Sequence, residues 1–113
     1  MHEVSLCQNI IDQINEAQKE RPFKAVKKVV LNVGVLSCVE PSALEFAFDV
    51  VAKDTPAEGA QLEIKKVLGK AICNLCQKQI TINDIVEPCP HCGNACHQIR
   101  DGRDIIFQTM EVI

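Results

Sequence analysis

Two Cys-x-x-Cys turns constrain this chain more than any other feature: Cys73 and Cys76, then twelve intervening residues, then Cys89 and Cys92. Each turn can aim two sulfurs at one point. Two such turns brought together make a tetrahedral sulfur cage, the geometry Zn²⁺ favours in a closed structural site. The gap is a little short of the commonest spacing but ample for a hairpin between the turns. Pro90 restricts the second turn, and Gly93 permits a tight backbone just after it. The pattern predicts a small zinc ribbon over residues 71–100.

Two rival chemistries use the same residues. Cys89-Pro90-His91-Cys92 alone could be a redox dithiol, since such motifs lower one thiol's pKa. That reading wants the pair at the start of a helix, and it leaves Cys73 and Cys76 without a role. A disulfide framework belongs to short secreted chains. Here the N-terminus lacks a basic region followed by an apolar run, and seven cysteines cannot pair completely. Iron also accepts four thiolates, as in rubredoxin-like sites.

Composition narrows the partners. The net charge is −3, and residues 71–100 carry Lys78 and Arg100 against Asp84 and Glu87. A nucleic-acid ribbon needs a basic face to neutralise phosphates. The chain has no Trp or Tyr and only four Phe, so stacking aromatics are scarce and the core must be aliphatic. No apolar run is long enough to cross a membrane. The expected location is the cytoplasm.

Outside the ribbon, hydrophobic periodicity predicts a helix over 4–20, with Val4, Cys7, Ile10, Ile11 and Ile14 on its apolar face and Pro22 ending it. Residues 26–36 alternate as a strand, with Val29, Leu31, Val33 and Val35 on one face and Lys28, Asn32 and Gly34 on the other. Pro41 opens a second helix over 41–53, built on Leu44, Ala47, Phe48 and Val51. A loop at 55–59 precedes a strand over 61–68 through Leu62, Ile64 and Leu68. After the ribbon, Ile106, Met110 and Val112 alternate to the C-terminus. The fold expected is α/β (α+β): two helices on a small three-stranded mixed sheet, made of 1–70 and 101–113, with the ribbon inserted between two strands.

The chain begins Met1-His2-Glu3. A free α-amine, the His2 amide nitrogen and the His2 imidazole can close adjoining chelate rings on one metal. Such planar nitrogen ligands suit Ni²⁺ or Cu²⁺. Glu3 can add a ligand through its backbone or carboxylate. On the residues alone the bland reading stands beside this one: a terminal histidine in solvent, and Glu3 in a helix's first turn, where a carboxylate is favourable.

Met1-His2-Glu3 followed at once by an amphipathic helix resembles the start of the HypA/HybF family of hydrogenase-maturation nickel chaperones. The stretch Gly34-Val35-Leu36-Ser37-Cys38-Val39-Glu40-Pro41-Ser42-Ala43-Leu44-Glu45-Phe46-Ala47-Phe48 resembles the family's second segment, and the paired Cys-x-x-Cys turns complete the match. The resemblance covers nearly the whole chain, in order. It implies a nickel-binding domain with an inserted zinc domain, structural Zn²⁺ on Cys73, Cys76, Cys89 and Cys92, and Ni²⁺ as transient cargo. The implied nickel ligands come from Met1, His2 and Glu3. Glu40 is a further candidate, and a helix-start carboxylate is its plain alternative.

The resemblance also implies a nickel-binding GTPase partner and a nickel–iron (NiFe) hydrogenase large-subunit precursor as recipient. The expected protein is not an enzyme, binds no nucleic acid or membrane, and is a monomer or weak homodimer. The alternative is a zinc-ribbon module that binds protein or nucleic acid and has no nickel function. Cys38 falls outside the family pattern, as a small buried side chain or an adventitious ligand. Cys7 reads as core. Cys96, His91 and His97 read as bystanders, with His97 also able to join the metal shell or to hydrogen-bond a thiolate.

Overall fold

The computed structural model describes residues 3–95 and 97–113. In chain order the elements are α1 (Glu3–Glu20), β1 (Val26–Gly34), a 3-10 turn (Val35–Ser37), α2 (Pro41–Val51), β2 (Gln61–Val67), β3 (Gly69–Cys73), β4 (Gln79–Ile82), β5 (His97–Asp101) and β6 (Ile105–Val112). They form two three-stranded sheets, in the orders β2-β1-β6 and β4-β3-β5. This is the expected α+β architecture with two helices and a ribbon. The chain divides into two compact units. One draws on Met1–Leu31, Val39–Ile64 and Phe107–Ile113, the other on Asn32–Cys38 and Lys65–Ile106. The unit holding the cysteine turns is thus wider than residues 71–100.

The first unit is organised by its helices. α1 buries Leu6, Cys7, Ile10, Ile11 and Ile14, a stripe at helical spacing. α2 buries Leu44, Ala47 and Phe48. The Cys7 thiol donates to the Leu44 carbonyl at 3.6 Å, which marks where α1 meets α2. After α1 the Gln18 side-chain amide holds the Phe23 carbonyl at 2.8 Å, catching the chain as Pro22 prevents further helix. β1 buries Val26, Val29, Val30 and Leu31. Lys28 pairs with Glu63 of β2 at 3.0 Å, a cross-strand ion pair on the wetter face. Backbone bonds join Ala25 to Ile113 and Gly34 to Asp104, so β1 and β6 run antiparallel.

Several sequence expectations need correction. Val4 is 58% exposed, and Leu6 takes its place on the buried face of α1. Along β6 the half-buried residues are Ile105, Phe107 and Met110, whereas Ile106 and Val112 are exposed. Gln108 and Thr109 both face solvent, so the alternation slips by one residue and a strict period of two lands on the wrong face. Leu68 is exposed because it lies at the junction of β2 and β3. The residues between the cysteine turns hold one strand, β4, and a loop. The hairpin is β3–β4, with the first cysteine turn at its tip, and β5 returns along β3.

In the cysteine unit, three glycines let backbones touch. A Cβ on Gly34 would collide with the Gly102 carbonyl, and one on Gly69 with the Ile82 carbonyl and, at 2.8 Å, Leu36 Cδ1. Gly102 has φ +87° and sits against Leu68 and Gly69. The Leu36 N–H donates to the Gly102 carbonyl at 2.7 Å, drawing the 3-10 turn against the exit of β5. Leu36 then joins Ala71, Ile80, Ile82, Cys73 and Cys89 in a small buried cluster. Gly69→Ala should therefore destabilise this unit by about 1–3 kcal/mol, the range for overpacking a close contact. Chemical denaturation followed by cysteine accessibility would read it, and an unchanged midpoint would show that the crossing has slack. Phe48→Ala, in the helical unit, should cost about 3–5 kcal/mol by cavity formation.

Candidate metal centre

The two cysteine turns share one backbone plan. The N–H four residues after the first cysteine returns to that cysteine's carbonyl: Gln77 to Cys73 at 3.0 Å, Gly93 to Cys89 at 2.8 Å. The first cysteine's own N–H reaches the carbonyl five residues on, Lys78 for Cys73 at 3.1 Å and Asn94 for Cys89 at 2.8 Å. The residue four positions on is left-handed in both turns, with φ 63° at Gln77 and 78° at Gly93. Glycine adopts that conformation freely, while a residue with a Cβ pays about 1–2 kcal/mol for it. The second turn was therefore readable from Gly93. Nothing in Gln77 announces the first.

This plan converges the four sulfurs. The Sγ atoms of Cys73, Cys76, Cys89 and Cys92 all lie within 4.8 Å of one another. Cys73 is 3.5 Å from Cys92, and Cys76 is 3.8 Å from Cys89. A tetrahedral ion with about 2.3 Å metal–sulfur bonds has edges of about 3.8 Å, so the donor set fits such an ion. All four thiols are free, which removes the disulfide arrangement. Cys73 and Cys89 are buried, while Cys92 is exposed, so the cage has an inner and an outer side.

Electrostatics at the cage favour a cation. The Cys73 thiol is drawn down to about 5, chiefly by the Cys76 backbone N–H, with the Leu75 N–H, the Cys92 thiol and the Asn94 amide adding to it against the opposing effect of burial. Cys92 moves the other way, to about 11: the Asn94 N–H favours its thiolate, but burial and the Cys73, Cys89 and Cys76 sulfurs outweigh it. One thiolate forms readily and resists the next, the usual result for like charges sharing a site. A divalent ion relieves that repulsion and lets all four ionise.

The neighbouring histidines stand apart from the sulfurs. His91 is exposed, and its backbone N–H, not its ring, approaches Cys89 Sγ at 3.4 Å. His97 Nε2 lies 2.7 Å from the Glu87 carbonyl, so this ring nitrogen secures the loop before the second turn. Cys96 lies outside the described residues. So do Met1 and His2, half of the expected nickel ligands. Glu3 is the first residue of α1 and is half-buried. Glu40 is the N-cap of α2 but makes no side-chain cap bond. Its exposed carboxylate accepts only a long contact, 3.4 Å, from the Ser42 hydroxyl among the bonds seen here. Cys38 is exposed rather than buried, in a left-handed conformation with φ 62°.

Cys7 is core, as expected. Burial, and next the Glu3 charge, push its thiol up to about 11 from an ordinary 9.0. The folded chain then keeps a proton that the unfolded chain loses. Its contribution is complete below about pH 9, and stability falls as pH rises towards about 11. Cys7→Ala should flatten that alkaline slope in urea midpoints measured between about pH 8 and pH 10.5. Equal slopes in the two proteins would show that the thiol does not titrate there.

Comparison with known proteins agrees with this geometry. A family model described as hydrogenase/urease nickel incorporation, metallochaperone, HypA matches residues 1–112. A hydrogenase maturation factor HypA from Psychromonas ingrahamii is 40% identical over 112 residues, covering 99% of this chain and 98% of that protein. The hydrogenase maturation factor HypA 2 from Bradyrhizobium diazoefficiens is 42% identical over 112 residues, covering 99% of each. The solution structure of the nickel metallochaperone HypA from Helicobacter pylori shares the fold, with a TM-score of 0.70 and 22% identity over 100% of this chain and 98% of that one. With a full-length model match and close relatives along its whole length, this chain belongs to the HypA family of hydrogenase-maturation metallochaperones.

Proposed function

We propose that this chain is a nickel metallochaperone that holds Ni²⁺ at its N-terminus and, with a nickel-binding GTPase, passes it to the large-subunit precursor of a nickel–iron hydrogenase. The carrying observation is the match to the family model over residues 1–112, which takes in both Met1-His2-Glu3 and the four cysteines. The protein acts without catalysing a reaction, in the cytoplasm, as a monomer or weak homodimer. No helix among the described residues is long and apolar enough to cross a membrane. The four-thiolate centre holds Zn²⁺ as a structural ion. It belongs to the unit of Asn32–Cys38 and Lys65–Ile106, whereas Glu3 and Glu40 belong to the other.

At the N-terminus, the Met1 amine, the His2 amide nitrogen and imidazole, and Glu3 supply the nickel donors. Glu40 is the additional carboxylate. Two observations support its inclusion. Its side chain is exposed and not spent on capping α2. The Cys7–Leu44 contact lies four residues, about 6 Å of helical rise, beyond Glu3 on α1 and beyond Glu40 on α2. An exposed site at a chain end can be dismantled one ligand at a time, which suits an ion that must be handed on.

Elemental analysis of untagged protein should find one zinc per chain, and Cys73→Ser, Cys76→Ser, Cys89→Ser or Cys92→Ser should release it while the α1–α2 layer keeps its helical signal. Reduced protein free of zinc, with Cys89 and Cys92 cycling between dithiol and disulfide, would overturn the structural-zinc reading. His2→Ala should abolish stoichiometric nickel binding and leave zinc in place, at little folding cost. Tight nickel retention by that variant would sink the N-terminal assignment, and absence of nickel binding from the parent protein would leave a ribbon module in its stead.

Acidification separates the two ions. Nickel competes with protons at an imidazole of reference pKa about 6.5 and an amine of about 7.7–8.0, so its affinity should fall between about pH 8 and pH 6. The four thiolates act together on their ion and should release it later. Release to a chromogenic chelator during stepwise acidification gives the order. Nickel outlasting zinc would rule out the amine-and-imidazole site.

A further inference from the structure

We propose that Asn94 is a positioning residue of the four-cysteine metal centre: its side-chain amide ties the second turn to the Cys73 sulfur of the first and so slows loss of the metal. Asn94 follows the left-handed Gly93, whose φ of 78° turns the chain back after Cys92. Its carbonyl accepts the Cys89 N–H at 2.8 Å, which fixes its backbone to the second turn. Its Nδ2 reaches across and donates to Cys73 Sγ at 3.8 Å.

The direction of that bond is what distinguishes it. The His91 N–H serves Cys89 at 3.4 Å within its own turn. The Asn94 amide instead spans the two turns, which stand on different strands: Cys73 ends β3, and Asn94 precedes β5. Four thiolates on one divalent ion leave two negative charges in excess. An amide donor draws charge from the sulfur it touches, lowering that sulfur's reactivity towards protons and competing acceptors. It also holds Cys73 at a bonding distance from an ion shared with the other turn. Asn94 touches no metal in this role. It acts through Cys73.

The inference rests on the cage being a metal site and not on what the N-terminus binds, so nickel titration is a separate control. Zinc transfer from the holoprotein to a chromogenic chelator gives the rate of loss, and Co²⁺ in the same cage gives a sulfur-to-metal charge-transfer band. Asn94→Ala should release zinc roughly ten-fold faster, within the range for removing an outer-sphere partner. Asn94→Asp keeps the shape, loses the donor and adds charge, so it should release zinc faster still. Both should move the cobalt band to lower energy. Asn94→Gln keeps an amide and should recover part of the slow release and of the band position. Release by Asn94→Asp as slow as in the parent would overturn the proposal. So would faster release in Asn94→Ala with the cobalt band unmoved, since packing alone would then account for it. His2-dependent nickel binding should persist in every variant.

Discussion

Four sulfurs held within 4.8 Å of one another repel as soon as more than one ionises, and the cysteine unit depends on how that repulsion is met. Its buried cluster is small: Leu36, Ala71, Ile80 and Ile82 with the sulfur-bearing Cys73 and Cys89. Such a core offers little hydrophobic stabilisation, and small scaffolds of this kind rely on a staple. A divalent ion would supply one, joining the end of β3 and the turn after it to the segment between β4 and β5. The backbone N–H groups aimed at the sulfurs do the same electrostatic work on a smaller scale. They favour a thiolate at Cys73, while burial and the neighbouring sulfurs oppose one at Cys92.

The helical unit rests on a different kind of force. Leu6, Cys7, Ile10, Ile11 and Ile14 meet Leu44, Ala47 and Phe48 in a core with no buried charge. Apolar burial of this kind is indifferent to metals and to mild acid. Its one titrating member, Cys7, responds only at alkaline pH. The two units therefore fail under different conditions. Loss of a metal should loosen one and spare the other, which is why metal content and helical signal are independent readouts of the same chain.

The parts legible in the sequence were those with a period or a motif. Both helices, the buried Val29, Leu31 and Val33 of β1 and the pairing of the four clustered cysteines followed from spacing alone, because each is decided within a few neighbouring residues. The misses share a cause: each needed knowledge of what lies across space. The first cysteine turn uses Gln77 in a left-handed conformation that no local signal marks. Leu36 read as the last residue of a strand over 26–36, yet it lies in a 3-10 turn and fills the ribbon core, held there by a bond to Gly102. The face of β6 was misjudged because Gln108 and Thr109 interrupt its alternation. His97 had several conceivable roles, and only the structure shows that its Nε2 meets the Glu87 carbonyl. The proposed metal role of His2 was never a matter of periodicity: the chemistry of an amine, an amide and an imidazole in one dipeptide suggested it and the resemblance favoured it, whereas Glu40 came from the resemblance alone.

If the chain holds nickel at its N-terminus as proposed, the contrast between its two metal centres follows from the demands on each. A structural ion should leave slowly. That calls for four thiolates, backbone donors that lower their basicity, and turns locked by paired hydrogen bonds such as Gln77 to Cys73 and Gly93 to Cys89. A cargo ion must leave on request, so its ligands need separate freedom. An exposed carboxylate such as Glu40 has it with respect to the amine and imidazole, because it stands on a different segment of the chain. Exchanging the two designs would defeat both. Cargo in the sulfur cage would have to leave two sulfurs, Cys73 and Cys89, that are packed into the unit's core. A structural ion at an exposed chain end would hold no strands together. On the proposed reading, planar nitrogen donors and tetrahedral thiolates favour different ions by geometry.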